Sequence, residues 1–406
     1  MALDITRTSK LFVAYLLISN LSTMVFMGFY IFFLQANGLS YLEMTIVFAA
    51  NFLALALFDL PTGNLADKYG RKRSIVVGTM IFALGLLVYA LTSSFLLFMA
   101  AEIVLGVASA LLSGSLEAWY VDDLKSQGKA SEAERVYGLA TGAVSLVGVA
   151  GGLIGSVLAA YALNVPLLFG SLVCFAAGLL ALLAFRENYG DKEARYVETV
   201  RRTLRYFKGS PALKLLTAAD VLRFCSFIVY IFLYQPFLVE MGLPPSALGV
   251  VFAGLMVASA VGSVLATRVM MKARKSTVVM ASVTLIVIPL AALPFVDGAL
   301  VAGALFMTCA FAHGLAMPAS MIWRNALVPS EIRASGLSVM STFINAANAF
   351  LSLAMGLMIA SWGVEAAFAF GVVAGMVSLP LYALAEKESR KVPNQMEAAS
   401  SMRADP

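Results

Sequence analysis

Long apolar runs, separated by short polar or Gly- and Pro-containing breaks, dominate this chain. They predict six helices near residues 10–36, 40–66, 72–92, 95–123, 133–162 and 164–186, and six more near 211–241, 245–272, 274–295, 298–327, 331–361 and 363–386. Each run is long enough to cross a membrane, because a spanning helix needs about 20 predominantly apolar residues. The pattern therefore predicts an all-α integral membrane protein with twelve transmembrane helices.

Composition strengthens this prediction. Hydrophobic residues make up 61% of the 406 residues and charged residues only 13%, whereas soluble domains carry about 25% charged residues. Twelve spans joined by short loops use nearly the whole chain, which leaves no room for a large soluble domain. The sequence contains neither the zinc-binding HExxH motif nor a phosphate-binding loop, so we expect no metal, no cofactor and no enzymatic activity.

The distribution of cations predicts the orientation of the chain. Of the 28 Lys and Arg residues, all but Arg223 fall at the termini or in loops on one side of the predicted bundle. Such loops stay in the cytoplasm, so both termini are predicted to be cytoplasmic in a multi-pass protein of the cell membrane. The net charge of +5 lies in these loops, which favours contact with the lipid bilayer over a nucleic-acid partner.

The chain divides at its most charged internal segment. Residues 1–186 are a predicted N-terminal six-helix half, and residues 211–388 are a predicted C-terminal six-helix half. Between them, residues 187–210 form a predicted cytoplasmic linker whose apolar residues recur at helical spacing, which indicates an amphipathic helix on the membrane surface. Residues 389–406 form a polar C-terminal tail.

One polar segment between the second and third predicted spans carries a specific motif. It reads GNLADKYGRKRS over residues 63–74 and resembles the signature Gly-x-Leu-Ala-Asp-x-x-Gly-Arg-Lys-Arg of the major facilitator superfamily of secondary transporters. The residues that fit this signature are Gly63, Leu65, Ala66, Asp67, Gly70, Arg71, Lys72 and Arg73. The resemblance implies a monomer with two pseudo-symmetric six-helix halves that rock about a central site for a small-molecule substrate.

The resemblance also implies a gate. In this family the Asp of the motif docks on the eleventh helix, and the Arg pairs with an acidic residue at the end of helix four. Asp67 and Arg71 match by position, Asp122 or Asp123 is the expected acidic partner, and Arg135 is a candidate member of the same network. We expect this network to hold the cytoplasmic side closed. The alternative is that these charges only set the topology.

Ionisable residues inside predicted spans indicate a substrate or proton site, because charge is costly within a bilayer. Asp220 and Arg223 are three residues apart in helix seven and can pair on one face of it. Phe227, Tyr230 and Tyr234 follow on that same face. We expect this face to line the central cavity, with a static salt bridge as the alternative.

Helix four presents a second polar face, since helical spacing brings together Glu102, Gly106, Ser109, Ser113 and Glu117. Glu102 lies deep in the predicted span. It is therefore a candidate proton carrier or, alternatively, an acid that is hydrogen-bonded to a neighbouring helix.

Other candidates lie on helices that the resemblance places along or beside the pathway. Tyr15 and Tyr30 share a polar and aromatic face of helix one, and His313, the only histidine, lies in helix ten. His313 belongs to the residue type that titrates near neutral pH. Asn345 in helix eleven is a further candidate for substrate binding. Hydrogen bonding between helices is the alternative for His313 and Asn345.

Small residues four apart predict close contacts between helices. They occur at Gly151 and Gly155 and again from Gly254 to Gly262, and they fit either the sliding interface between the halves or static packing.

These features favour a secondary active transporter that works by proton-coupled efflux of an amphipathic or drug-like compound. Uptake or facilitated diffusion of a polar metabolite is the alternative, and a non-transporting receptor or scaffold on the same fold is an alternative of another class. Two departures weaken the comparison with drug/proton antiporters. Glu102 stands where proton-coupled members often carry Arg, and the glycines between Gly148 and Gly152 lack the usual proline.

Overall fold

The computed structural model describes residues 5–190, 196–329 and 332–391. It contains α1 (Arg7–Met27), α2 (Tyr30–Ala36), α3 (Tyr41–Tyr69), α4 (Arg71–Leu91), α5 (Phe95–Leu112), α6 (Ser115–Ser126), α7 (Ala130–Ala159) and α8 (Val165–Ala184). These are followed by α9 (Tyr196–Gly209), α10 (Pro211–Glu240), α11 (Leu248–Val269), α12 (Lys275–Ala292), α13 (Ala299–Leu327), α14 (Arg333–Trp362) and α15 (Val364–Ser389). Most of the predicted polar tail, from residue 392 onward, lies outside the described residues.

The predicted twelve-span architecture is confirmed. The helices long and apolar enough to cross a membrane are α1, α3, α4, α5 together with α6, α7, α8 and α10 to α15. Two predicted helices are broken: the first between Met27 and Tyr30, and the fourth around Gly114, which has φ +70°. The linker contains the predicted helix as α9, while its residues 191–195 lie outside the described part of the chain.

The two ends of the bundle differ in charge. We call the end at which α1 begins and α3 passes into α4 the basic end, because it carries the cations from Arg71 to Arg73. The opposite end, where α2 passes into α3, is the far end. Local sequence fixes these helix ends. At the far end, for example, the Ser40 hydroxyl accepts from the Glu43 N–H and the Glu43 carboxylate accepts from the Ser40 N–H, which is a capping box.

Contacts between helices fall into two sets. Within the first half, α3 packs on α5, α4 on α8 and α1 on α7, and within the second half α10 packs on α15 and α11 on α13. The main contacts between the halves join α3 to α14 and α7 to α11. This is the two-half arrangement expected from the sequence.

Among the described residues, the buried apolar core is continuous between the halves only toward the far end. Its largest cluster combines residues of both halves, including Phe33 and Phe98 with Phe232 and Phe306. Toward the basic end there are two separate clusters. One is built around Trp119 in the first half, and the other lies around Trp323 in the second half. The halves therefore share one buried core at the far end, whereas the described core clusters at the basic end belong to separate halves.

Candidate functional site: a cavity closed at the far end

The far end is sealed by polar and aromatic contacts between the halves. The Gln235 side chain of α10 bonds to backbone groups of the first span, and the Tyr41 hydroxyl donates to the Glu240 carboxylate over 3.1 Å. The ring of Phe232 lies 6.2 Å from that of Phe48, measured between centroids. The hydrogen bonds that Tyr41, Ser156, Tyr234 and Gln235 form between the halves all lie at this end.

A cavity of about 310 Å³ adjoins this seal in the first half. Five helices from α1 to α5 contribute to its wall. Its lining combines four aromatic rings with a few polar groups, namely Thr23, Phe26, Met27, Tyr30, Phe48, Asn51, Phe82, Glu102, Leu105 and Ser109. An apolar pocket with a small number of polar groups is the usual form of a small-molecule site.

Glu102 is the only ionisable carboxyl group in that lining. Its side chain is buried, with 3% of the residue exposed, and its Oε1 accepts a hydrogen bond of 2.5 Å from the Tyr30 hydroxyl. Among the described residues, no cation forms an ion pair with it. Burying an ionised carboxylate inside a membrane-spanning helix without a counter-charge costs free energy. Glu102 is therefore suited to hold a proton or to receive a cationic group.

A second cavity of about 190 Å³ continues from the first toward the basic end. The two share Thr23 and Phe82 in their linings. Tyr15 lines the second cavity, and its hydroxyl lies 2.5 Å from the Thr79 hydroxyl. The predicted candidates Tyr15, Tyr30 and Glu102 thus line two adjoining cavities in the first half.

The predicted pair in helix seven lies elsewhere, inside the second half. Asp220 and Arg223 are each 2% exposed, and Arg223 Nη2 lies 3.4 Å from Asp220 Oδ1. The same carboxylate accepts a 2.7 Å bond from the Tyr382 hydroxyl and lies 2.9 Å from Ser320 Oγ and 3.6 Å from Arg324 Nε. Asp220 therefore joins α10 to α13 and α15, and it lines neither of the two cavities above.

The aromatic residues after Arg223 do not share one environment. The Phe227 ring stacks on His313 with 4.0 Å between centroids, and the His313 Nδ1 has no hydrogen-bond partner among the described residues. Tyr230 is buried in the far-end core, and the Tyr234 hydroxyl donates to the Gly28 carbonyl over 3.4 Å. None of these four residues lines the two cavities, and their contact with substrate stays a prediction.

Two further candidates also lie outside both cavities. Asn345 is partly buried in α14, with its Nδ2 3.5 Å from the Ser341 hydroxyl. Glu117 is partly buried in α6, beyond the break in the fourth span.

Residues 63–74 form a tighter turn than their polar composition indicates. Helix α3 continues to Tyr69 and α4 begins at Arg71, so Gly70 alone makes the turn, with φ +115°. Gly63 is helical and needs no such freedom. Within this segment Ala66 is buried and Leu65 is 45% exposed.

Arg71 is the centre of an ion-pair network at this turn. Its Nη1 pairs with the Asp122 carboxylate and donates to the Ala118 carbonyl, while its Nη2 lies 3.0 Å from Asp67 Oδ1. Of the two acidic candidates, Asp122 is thus the neighbour of Arg71. Asp123 instead accepts a 2.6 Å bond from the Thr8 hydroxyl.

The segment after α8 covers the same turn. The Glu187 carboxylate accepts from the Lys72 N–H over 2.9 Å and lies 3.7 Å from Arg73. The Gly190 N–H donates to the Asp67 carbonyl over 3.2 Å. Arg135 is exposed on α7. Docking of Asp67 on the eleventh helix stays a prediction, because the side chains of residues 333–335 lie outside the described part of α14.

Three polar or charged residues that were not predicted as candidates are partly or fully buried in the structure. Asp59 is a partly buried charge in the second span, and its signal is the one that identified Asp220, an ionisable residue within an apolar run. Arg324 is one of the cations that predict the orientation, but in the last turn of α13 it lies 3.6 Å from the Asp220 carboxylate. Gln235 carries no charge, so its neighbours become evident only in three dimensions.

The model of the family described as Major Facilitator Superfamily matches residues 11–321 and 215–406 of the chain. The chain belongs to the major facilitator superfamily. This confirms the resemblance drawn from residues 63–74 to a family of secondary transporters.

Two relatives match about half of the chain. Multidrug resistance protein 2 of Bacillus subtilis (strain 168) is 24% identical over 200 residues, which cover 49% of this chain and 48% of that protein. The MFS-type transporter MJ1560 of Methanocaldococcus jannaschii is 25% identical over 186 residues, or 45% of this chain and 47% of that protein. The matches thus span about half the length of these relatives.

Solved structures share the fold over almost the whole chain. The nucleoside transporter NupG superposes with a TM-score of 0.74 at 12% identity, covering 94% of this chain and 99% of that one. A bacterial homologue of the human lysosomal transporter Spinster, described as inward-facing and unoccupied, gives a TM-score of 0.71 at 16% identity, with 94% and 96% covered. These likenesses establish the fold of the major facilitator superfamily.

Proposed function

We propose that this transporter exports amphipathic, drug-like compounds in exchange for protons. The observation that carries the proposal is the buried Glu102 carboxyl group in a cavity walled by aromatic rings. An aromatic wall favours the flat apolar part of such a compound. A single carboxylate accommodates either one proton or one cationic group, so that loading of one releases the other.

Alternating access by the two halves supplies the transport cycle. Residues 1–186 and 211–388 are the moving bodies in this proposal, and residues 187–210 connect them. With the basic end in the cytoplasm, as the positive-inside rule indicates, the described conformation is closed to the outside of the cell membrane. Both termini then lie in the cytoplasm. The split between the two basic-end core clusters supports a path to the cavity from that side.

The Arg71 network fits the role of the gate at the basic end. Asp67, Arg71 and Asp122 are already assembled within the first half. Closure of the basic end then brings α14 toward this network, which is the docking that the family resemblance implies. The name of the relative Multidrug resistance protein 2 agrees with export of drug-like compounds. The names of the solved structures carry no such weight, since those likenesses concern the fold.

Flux in proteoliposomes tests the proposed function. We expect the purified protein to move ethidium, an amphipathic cation, into the more acidic compartment while protons leave it. We expect Glu102→Gln to reduce this gradient-driven flux at least tenfold. Glu365→Gln is the matched control, because Glu365 is exposed in the first turn of α15 and lines neither cavity, and it should retain the parental flux. Flux of uridine without ethidium would support the polar-metabolite alternative, and no flux of either compound would support a receptor or scaffold.

A further inference from the structure

The break in the first span leaves backbone groups without helical hydrogen bonds at a buried position. α1 ends at Met27 and α2 begins at Tyr30, so the first N–H groups of α2 and the last carbonyls of α1 lack partners within their own helices. Phe29 precedes α2 and provides no side-chain cap. Since Phe29 is only 1% exposed, these backbone groups need partners from elsewhere in the protein.

Gln235, in α10 of the second half, provides those partners. Its Oε1 accepts from the N–H groups of Ile31 and Phe32 over 2.9 and 3.0 Å. Its Nε2 donates to the Met27 carbonyl over 3.0 Å. The Gln235 side chain is itself buried, with 2% of the residue exposed. One amide therefore satisfies both sides of a helix break that belongs to the other half of the molecule.

The neighbourhood of the break leaves little room for other partners. The Tyr234 hydroxyl, which receives a 2.9 Å bond from Gln235 Nε2, donates to the Gly28 carbonyl. Gly28 is pressed against α11, where an added Cβ would lie 3.0 Å from the Cβ of Phe252 and 3.3 Å from the Cα of Gly249. The break is thus enclosed by the second half as long as the far end stays closed.

We infer that Gln235 is a positioning residue that latches the far end of the transporter. It caps α2 across the interface between the halves, so opening of the far end removes all of its bonds to the first span in one step. Opening exposes these backbone groups to water, so each lost bond favours the closed conformation by the net contribution of one hydrogen bond. A Gln235 variant that leaves them buried and unpaired destabilises the closed conformation by more. The latch thus shifts the equilibrium toward the conformation closed at the far end, whatever compound the cavity binds.

Distance measurements between spin labels test this inference directly. Tyr161 and Phe295 are suitable label sites, because they lie at the far end in different halves and are 82% and 86% exposed. Each is replaced by Cys in a protein whose native cysteines are replaced by Ala. We expect Gln235→Met, which keeps the chain length without the amide, to raise the ratio of far-end-open to far-end-closed molecules at least tenfold.

Two further variants make the result specific. Gln235→Glu keeps acceptor oxygens for Ile31 and Phe32 but not the amide donor, so it should shift the ratio upward by less than Gln235→Met. Tyr41→Phe is the control, since it removes an exposed hydrogen bond between the halves, and it should change the ratio less than twofold.

The latch would be overturned if both Gln235 variants gave the distance distribution of the parent. It would also be overturned if Tyr41→Phe raised the open fraction as much as Gln235→Met. If Gln235→Met does not fold, Gln235→Glu alone decides: an increased open fraction supports the latch and an unchanged one overturns it. No substrate is needed, so this result is independent of the proposed efflux.

Discussion

At the scale of single residues, Asp220 shows what the sequence can and cannot reveal. The three-residue spacing predicts its ion pair with Arg223, because side chains at i and i+3 are neighbours on a helix. Its bonds to Ser320, Arg324 and Tyr382 come from α13 and α15, which are distant in sequence. The spacing alone favours no particular neighbouring helix. For that reason the sequence left open whether the pair lines the pathway, and the structure shows it joining three helices.

We expect Asp220→Asn to destabilise the protein strongly. The substitution leaves Arg223, 2% exposed, without its carboxylate, and removal of one partner of a buried ion pair costs about 3–5 kcal/mol. Tyr382→Phe is a milder comparison, since it removes two hydroxyl bonds, one donated to Asp220 and one accepted from Arg223, each worth about 1 kcal/mol. Thermal unfolding in detergent measures both. Equal melting temperatures for Asp220→Asn and the parent would show that the pair contributes no stability.

At the scale of helices, the apolar pattern located all twelve spans but not the breaks inside two of them. The residues at the first break, Gly28 and Phe29, are as compatible with a bilayer as their neighbours, so the apolar run continues through them. The break depends on α10, since Gln235 satisfies the backbone groups that it frees. A pattern of hydropathy contains no information about such a partner.

The small-residue patterns illustrate the same limit. They correctly indicate close contacts, but the partner helix depends on how each helix is rotated. A Cβ on Gly155 would meet the Val25 carbonyl of α1, in the same half, whereas one on Gly152 would meet the Gly249 carbonyl of α11, in the other half. The interface between the halves therefore uses Gly152 and Gly249, which lie next to or outside the patterns seen in the sequence.

The turn between α3 and α4 gives a prediction at this scale. Gly70 has φ +115°, and an added Cβ would meet the Glu187 carboxylate, so Gly70→Ala should lower the free energy of unfolding by about 1–3 kcal/mol. Gly63 is its matched control in the same motif. It is helical with open space around it, so Gly63→Ala should be neutral or stabilise α3 by about 0.5–1 kcal/mol.

Thermal unfolding distinguishes these two glycine variants. If Gly70→Ala and Gly63→Ala melt at the same temperature, the turn geometry described here is wrong.

At the scale of the whole molecule, the two halves and their order follow from the sequence, but the conformation does not. The motif at residues 63–74 and the repeat of six spans predict the family fold. Whether the halves meet at the basic end or at the far end depends on which contacts between them form, and the same sequence must allow both during transport. In the structure, the shared core and Gln235 close the far end.

The location of the proton and substrate site also depends on this arrangement. The sequence offers several ionisable candidates within the spans, among them Asp220, Arg223, His313 and Glu102. Only Glu102 lies in the cavity beside the seal between the halves, and it does so with a tyrosine as its hydrogen-bond partner and no cation paired with it among the described residues. The proposed exchange therefore depends on competition between a proton and a cationic group at Glu102.

Proton release during ethidium binding tests that competition most directly. Ethidium is titrated into the purified protein in weakly buffered detergent solution near neutral pH, with a pH indicator present. We expect protons to be released in step with binding by the parent and by the control Glu365→Gln, and none to be released by Glu102→Gln. Ethidium binding without proton release, or unchanged release from Glu102→Gln, would contradict exchange at this site.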